Sequence, residues 1–111
     1  MPILIIREPA RPEQIKAMLQ ELGSYIKLAV DVERGILAGG GEFHADCEAV
    51  LLEDGSAQEN IWGADWLPAA RLVRCEALIN LRPRQNNLRM EIQDAGLRER
   101  VERITRTLLE G

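Results

Sequence analysis

Aromatic residues are scarce in this chain, with one Phe, one Tyr and two Trp among 111 residues. Its core must therefore be mainly aliphatic, and the few large rings must be buried in it. Positive charge is not in excess: 14 Lys and Arg stand against 18 Asp and Glu, a net charge of -4. A phosphate backbone is bound through a basic face that releases counterions, so nucleic acid is not an expected partner. The longest apolar stretches, Ile3 to Ile6 and Ala49 to Leu52, fall far short of the roughly 20 residues that cross a bilayer. With no secretory-signal pattern at the N-terminus, the expectation is a cytoplasmic protein with no membrane contact. Only two cysteines occur, Cys47 and Cys75, without a C-x-x-C spacing and within apolar patterns. Buried free thiols fit this better than a disulfide or a zinc site. Repeats, low-complexity tracts and linkers are missing too, so residues 1–111 read as a single domain, with a folded surface of roughly 6,200 Å².

What is present is patterning. Ile3 to Ile6 is a β-branched run closed by Arg7, Glu8 and Pro9, as a buried strand would be. Pro12 suits a first helical turn, with Glu13 near the positive helix end and Ile15, Met18, Leu19 and Leu22 at helical spacing up to Gly23. From Ile26 to Val32 the period becomes two, predicting a half-buried strand with Ile26, Leu28, Val30 and Val32 on one face. Glu33, Arg34 and Gly35 form a turn, and Ile36 to Ala38 resume the extended pattern as a hairpin. Gly39, Gly40 and Gly41 suggest a bulge or a close backbone approach. No G-x-G-x-x-G spacing or lysine-bearing helix follows them, which disfavours a phosphate cradle.

Ala49 to Leu52 reads as an apolar strand ending at the Asp54-Gly55-Ser56 turn. An irregular stretch follows from Gln58 to Pro68. Leu72 to Leu81 then alternates as a long strand up to Pro83. Asp94 caps a C-terminal amphipathic helix with Leu97, Val101, Ile104 and Leu108 inward. The sum is an α+β fold: a mainly antiparallel sheet of about five strands with two helices packed on one face, the longer one C-terminal.

One segment draws attention for chemistry. Glu42, His44, Asp46 and Glu48 alternate with Phe43, Ala45, Cys47 and Ala49. In an extended chain, three carboxylates and the only histidine share one side, about 6 to 7 Å apart. Such a strip can recruit a divalent metal, with His44, Asp46 and Glu48 as ligands, or raise the proton affinity of His44 for acid–base catalysis alongside Asp46 and Glu42. It is equally the solvated outer face of a sheet whose inner face carries Phe43, Cys47 and Leu51. A second polar cluster, Asn80, Arg82, Arg84, Gln85, Asn86 and Asn87, offers guanidinium forks for a small anionic ligand or forms a polar loop. Trp62 and Trp66 wall a pocket with Gln58 or anchor the core. With Arg71, Arg74, Arg82, Arg84 and Arg89, the tryptophans are also what a nucleic-acid module would use, against the acidic total.

The block running from Gly40-Gly41-Glu42 through His44-Ala45-Asp46, Leu51 to Ser56, Gln58 and Trp62-Gly63, with Ile79-Asn80-Leu81-Arg82-Pro83 and Asn86 or Asn87, resembles a small uncharacterised prokaryotic family. The resemblance spans nearly the whole chain. It implies a stand-alone domain of about this length and supplies no activity, substrate or catalytic residue. Two functions follow as expectations: a homodimeric binding module meeting its copy through outer strands or the C-terminal helix, or a small hydrolase or metal-dependent enzyme. In the second, His44, Asp46 and Glu42 do the chemistry, Arg82 clamps an anion, and Asn80, Trp62 and Gln58 line the site.

Overall fold

The period-two pattern starting at Ile26 builds the middle of the sheet. The computed structural model describes residues 3–111, whose elements run β1 (Leu4–Ile6), α1 (Pro12–Leu19), β2 (Ile26–Asp31), β3 (Ile36–Gly41), α2 (His44–Glu53), β4 (Ile61–Leu67), β5 (Leu72–Arg74) and α3 (Ala95–Leu109). The five strands pair antiparallel in the order β1-β3-β2-β4-β5. Asp31 fixes the predicted hairpin, its Oδ1 accepting from the backbone N–H of Glu33 (2.9 Å) and Arg34 (3.0 Å), as Asp does in tight turns. Gly40 takes φ +105° beside a slip in the β2–β3 ladder between Lys27 and Leu28. Glycine enters that region at little steric cost, which is what the bulge requires.

The central strand is buried on both faces rather than half-buried. Ile26, Leu28 and Val30 join Leu37, Trp62, Ala64 and Trp66 under Met18 of α1 and Val101, Leu108 and Leu109 of α3. Ala29, Ile36, Ala38 and Ile61 face the other way, against Cys47 and Leu51 of α2. Among the described residues there are thus three α-helices, not two, and they cover both faces of the sheet, not one. Ala29 and Ala38, paired across β2 and β3, are small enough to let α2 approach closely on the second side.

Residues 44–53 are where the period-two reading gives way. The alternation predicts an extended strip from Glu42 to Glu48 and a strand from Ala49 to Leu52; both lie mostly in one helix, α2. Ala45, Ala49, Leu51, Leu52 and two glutamates are strong helix formers, and Cys47 and Leu51, four apart, are the fully buried pair. The long strand expected over Leu72–Leu81 is confined to Leu72–Arg74, after which the chain leaves the ladder and makes a 3₁₀ turn at Leu78–Asn80. The stretch expected to be irregular, Gln58–Pro68, contains the regular strand β4. Its alternation places Trp62 (3% exposed) and Trp66 (2%) in the larger core. At the C-terminus the cap is as read, Asp94 Oδ1 accepting from Leu97 N–H at 2.9 Å. The apolar stripe of α3 is turned to the sheet, leaving Arg98, Glu99, Arg100 and Arg103 outside.

Candidate functional site

Because β5 pairs with β4 only over Asp65–Leu67, the other half of β4 has an outer edge without a strand. Two side chains close it. Gly63 donates its N–H to Asn80 Oδ1 (2.7 Å) and accepts from Asn80 Nδ2 (3.0 Å), as it would from a neighbouring strand. Asn80 Nδ2 also donates to Met90 O at 3.1 Å. This approach is possible because residue 63 has no side chain: a Cβ there would lie 2.5 Å from Ala77 Cβ. Asn87 ties the following loop, its Nδ2 donating to the carbonyls of Asn80, Arg89 and Glu91 and its Oδ1 accepting from Gln93 N–H.

Arg82 completes the seal. Its Nε donates to Ile79 O (2.9 Å), its Nη1 to Gln58 O (2.8 Å) and Gln85 Oε1 (3.1 Å), and its Nη2 to Ile61 O. The guanidinium sits 4.4 Å from the Trp62 ring centroid and 3.6 Å from Glu48 Oε2. Burial pulls the Arg82 pKa below its usual value, and the charge of Glu48 partly offsets this. A fork engaged with backbone acceptors has little capacity left for an external anion. Gln58 contributes its carbonyl here, and Trp62 lies beneath the guanidinium.

His44 is the first residue of α2, and its ring turns toward the sheet. Nε2 lies 2.7 Å from Asp65 Oδ1 and 3.2 Å from Ala64 O. Both neighbours are acceptors, so Nε2 carries a proton and donates. Asp65, 3% exposed, also accepts from Arg74 Nε and pairs with Arg74 Nη2, both at 2.8 Å. The side-chain partner of His44 is therefore Asp65, itself held by Arg74, a pair that the alternation did not single out. The signal lay in β4: Trp62, Ala64 and Trp66 share one face, so Asp65 must point to the other, where α2 begins. Glu42 and Asp46, grouped with His44 by spacing, are exposed and make no side-chain hydrogen bond or ion pair among the described residues. Glu48 lies a turn further along, toward Arg82. Among the described residues, no three His, Cys, Asp or Glu side chains converge as metal ligands would.

Between α2 and residues 77–90 runs a groove made of two cavities that share Leu78 and Ile79. The one at the His44 end, about 420 Å³, is lined chiefly by Phe43, Ala45, Ala77, Leu78, Ile79 and Met90, with Lys27 and Glu76 at its rim. The other, about 530 Å³, runs along Glu48, Gln58, Leu81 and Arg82 to Arg84. Leu78 is 71% exposed, Phe43 57% and Met90 44%. The thiols take no part: both are free, and burial pushes Cys47 up to about 11 and Cys75 up to about 12.

No described helix is long and apolar enough to cross a membrane. No curated protein and no solved structure matches the chain. A family model described as "Protein of unknown function (DUF5674)" matches residues 4–108. The chain thus belongs to that family of unknown function.

Proposed function

We propose that this domain is a binding module whose working surface is the groove between α2 and residues 77–90. The observation that carries the reading is the exposure of Leu78, Phe43 and Met90 around one apolar cavity. Large apolar side chains gathered round a concavity mark recognition surfaces, whereas single exposed ones need no explanation. The polar side chains nearby support it from the other direction. Asn80 and Arg82 are engaged in closing the sheet, and the raised thiol pKa values deprive Cys47 of nucleophilic character.

The test is binding of an apolar fluorophore to the folded protein. Enhancement is expected with wild type and at least a tenfold weaker affinity with Phe43→Glu, with near-UV circular dichroism unchanged. No enhancement at the lowest protein concentrations, where the groove is free of any self-contact, or equal affinity in the variant, defeats the reading.

The contact between His44 and Asp65 favours a second reading, an acid–base centre. An imidazole oriented by a carboxylate, with its other nitrogen free of protein partners among the described residues, is a general base in form. Hydrolysis of an activated ester at equal rates by wild type and His44→Ala would dismiss it.

A further inference from the structure

We infer that the groove is filled by a second copy of this chain, two protomers meeting face to face across α2 and residues 77–90. The inference rests on the binding-module reading and names its partner.

The other surfaces are poorly suited to self-association. The outer face of α3 carries charged side chains, β1 and β5 at the sheet edges are three residues each, and side chains close the free half of β4. Short or covered edges resist strand addition. The apolar surface lies elsewhere. Among the described residues, four of the seven exposed large apolar side chains (Phe43, Leu78, Leu81 and Met90) line the groove's two cavities. At about 200 Å² for each such side chain in full exposure, they present roughly 440 Å² of apolar surface, about the apolar share of a standard interface. A stable interface of standard size covers about 800 Å² per partner.

Charge does not oppose a self-contact here. The whole chain carries -4, so two copies repel on average. The charged residues lining the groove are Lys27, Arg82 and Arg84 against Glu48 and Glu76, three cations to two anions. Two copies meeting through these residues do not confront an acidic surplus, and a two-fold axis can set Glu76 of one against a cation of the other. Shape agrees. A two-fold interface must be self-complementary, and here a projecting side chain, Leu78, stands at the junction of two cavities, each large enough to receive it. Rotation about one axis can place each Leu78 in the other copy's groove.

Sedimentation equilibrium of the full chain from low to high micromolar should show a species of twice 12.5 kDa. Leu78→Arg should raise the dissociation constant at least tenfold while the circular dichroism stays unchanged, because the side chain replaced is mostly in solvent. Leu72→Arg, at the other exposed leucine on β5, should leave the dimer intact. Phe43→Glu is the second groove variant should Leu78→Arg fail to fold. A wild type that is monomeric throughout, or a dimer that survives both groove substitutions, overturns the inference. A monomeric wild type that still binds the fluorophore in a Phe43-dependent way removes the self-pairing and keeps the binding module. Failure of both measurements removes both.

Discussion

Replacing Gly63 by alanine tests the packing that brings residues 77–80 onto β4. The added Cβ would lie 2.5 Å from Ala77 Cβ and 3.0 Å from Ile79 Cγ1. Gly63 has no positive φ, so the backbone tolerates alanine and any cost is steric. Relief requires the 77–80 turn to move outward, which stretches the two hydrogen bonds between Gly63 and Asn80. Overpacking of a core by one methyl costs about 1–3 kcal/mol, and each weakened hydrogen bond adds about 1. A loss near 3 kcal/mol is expected, a large share of the ~5–15 kcal/mol typical of a domain. Urea denaturation would register it as a midpoint lowered by about 2 M, for a slope near 1.5 kcal/mol/M. The decisive measurement is the cycle with Ala77→Gly, which deletes the atom in the way. That change alone should cost about 1 kcal/mol, and the double variant should be about 1–2 kcal/mol more stable than the two losses together imply. Losses that simply add within about 0.5 kcal/mol would refute the proposed contact.

Three further outcomes are expected, one from the same geometry and two from the buried thiols. Asn80→Leu, similar in size but without the amide, leaves the Gly63 N–H and C=O unpaired and takes from the Met90 C=O one of its two donors, and should lower stability by about 2–4 kcal/mol; a loss below about 1 kcal/mol would mean water replaces the amide without penalty. Both thiols should resist a disulfide reagent at pH 8 in the folded protein and react fully in denaturant. Because burial raises Cys47 to about 11 and Cys75 to about 12, the folded chain holds protons that the unfolded chain releases from about pH 9 upward. Stability should thus fall between pH 9 and those values; a flat stability–pH curve there, after correction for lysine and tyrosine, would contradict it.

The sheet was legible where its pattern had only one interpretation. Ile26 to Val32 alternates for seven residues, and Asp31 with Gly35 marks a hairpin, so β2 and β3 could be placed from side-chain chemistry alone. Residues 42–49 admitted two. Alternation puts His44 with Asp46, while helical spacing puts His44 with Cys47 and Leu51, and over so short a span the two periods are hard to separate. Burial of Cys47 and Leu51 against Ala29 and Ala38 decides it, and that is a long-range fact. The candidate site failed to assemble for the same reason. Once α2 coils, Asp46 swings to solvent and Glu48 moves toward Arg82, while Asp65, which holds His44 in place, comes from a strand twenty-one residues away. Asn80 and Arg82 were conspicuous as polar residues at a strand end. That they close the free edge of β4 depends on where β5 stops, and no local signal marks that point.

The Asn80 amide has a consequence beyond melting behaviour. At Gly63 the sheet boundary is held by this one side chain, so a single substitution opens it there. With it gone, the unoccupied rail of β4 becomes a template onto which stretched segments of other chains add rung by rung. The first casualty of such a change would be shelf life in concentrated solution, well before any shortfall appears in a dilute melting curve.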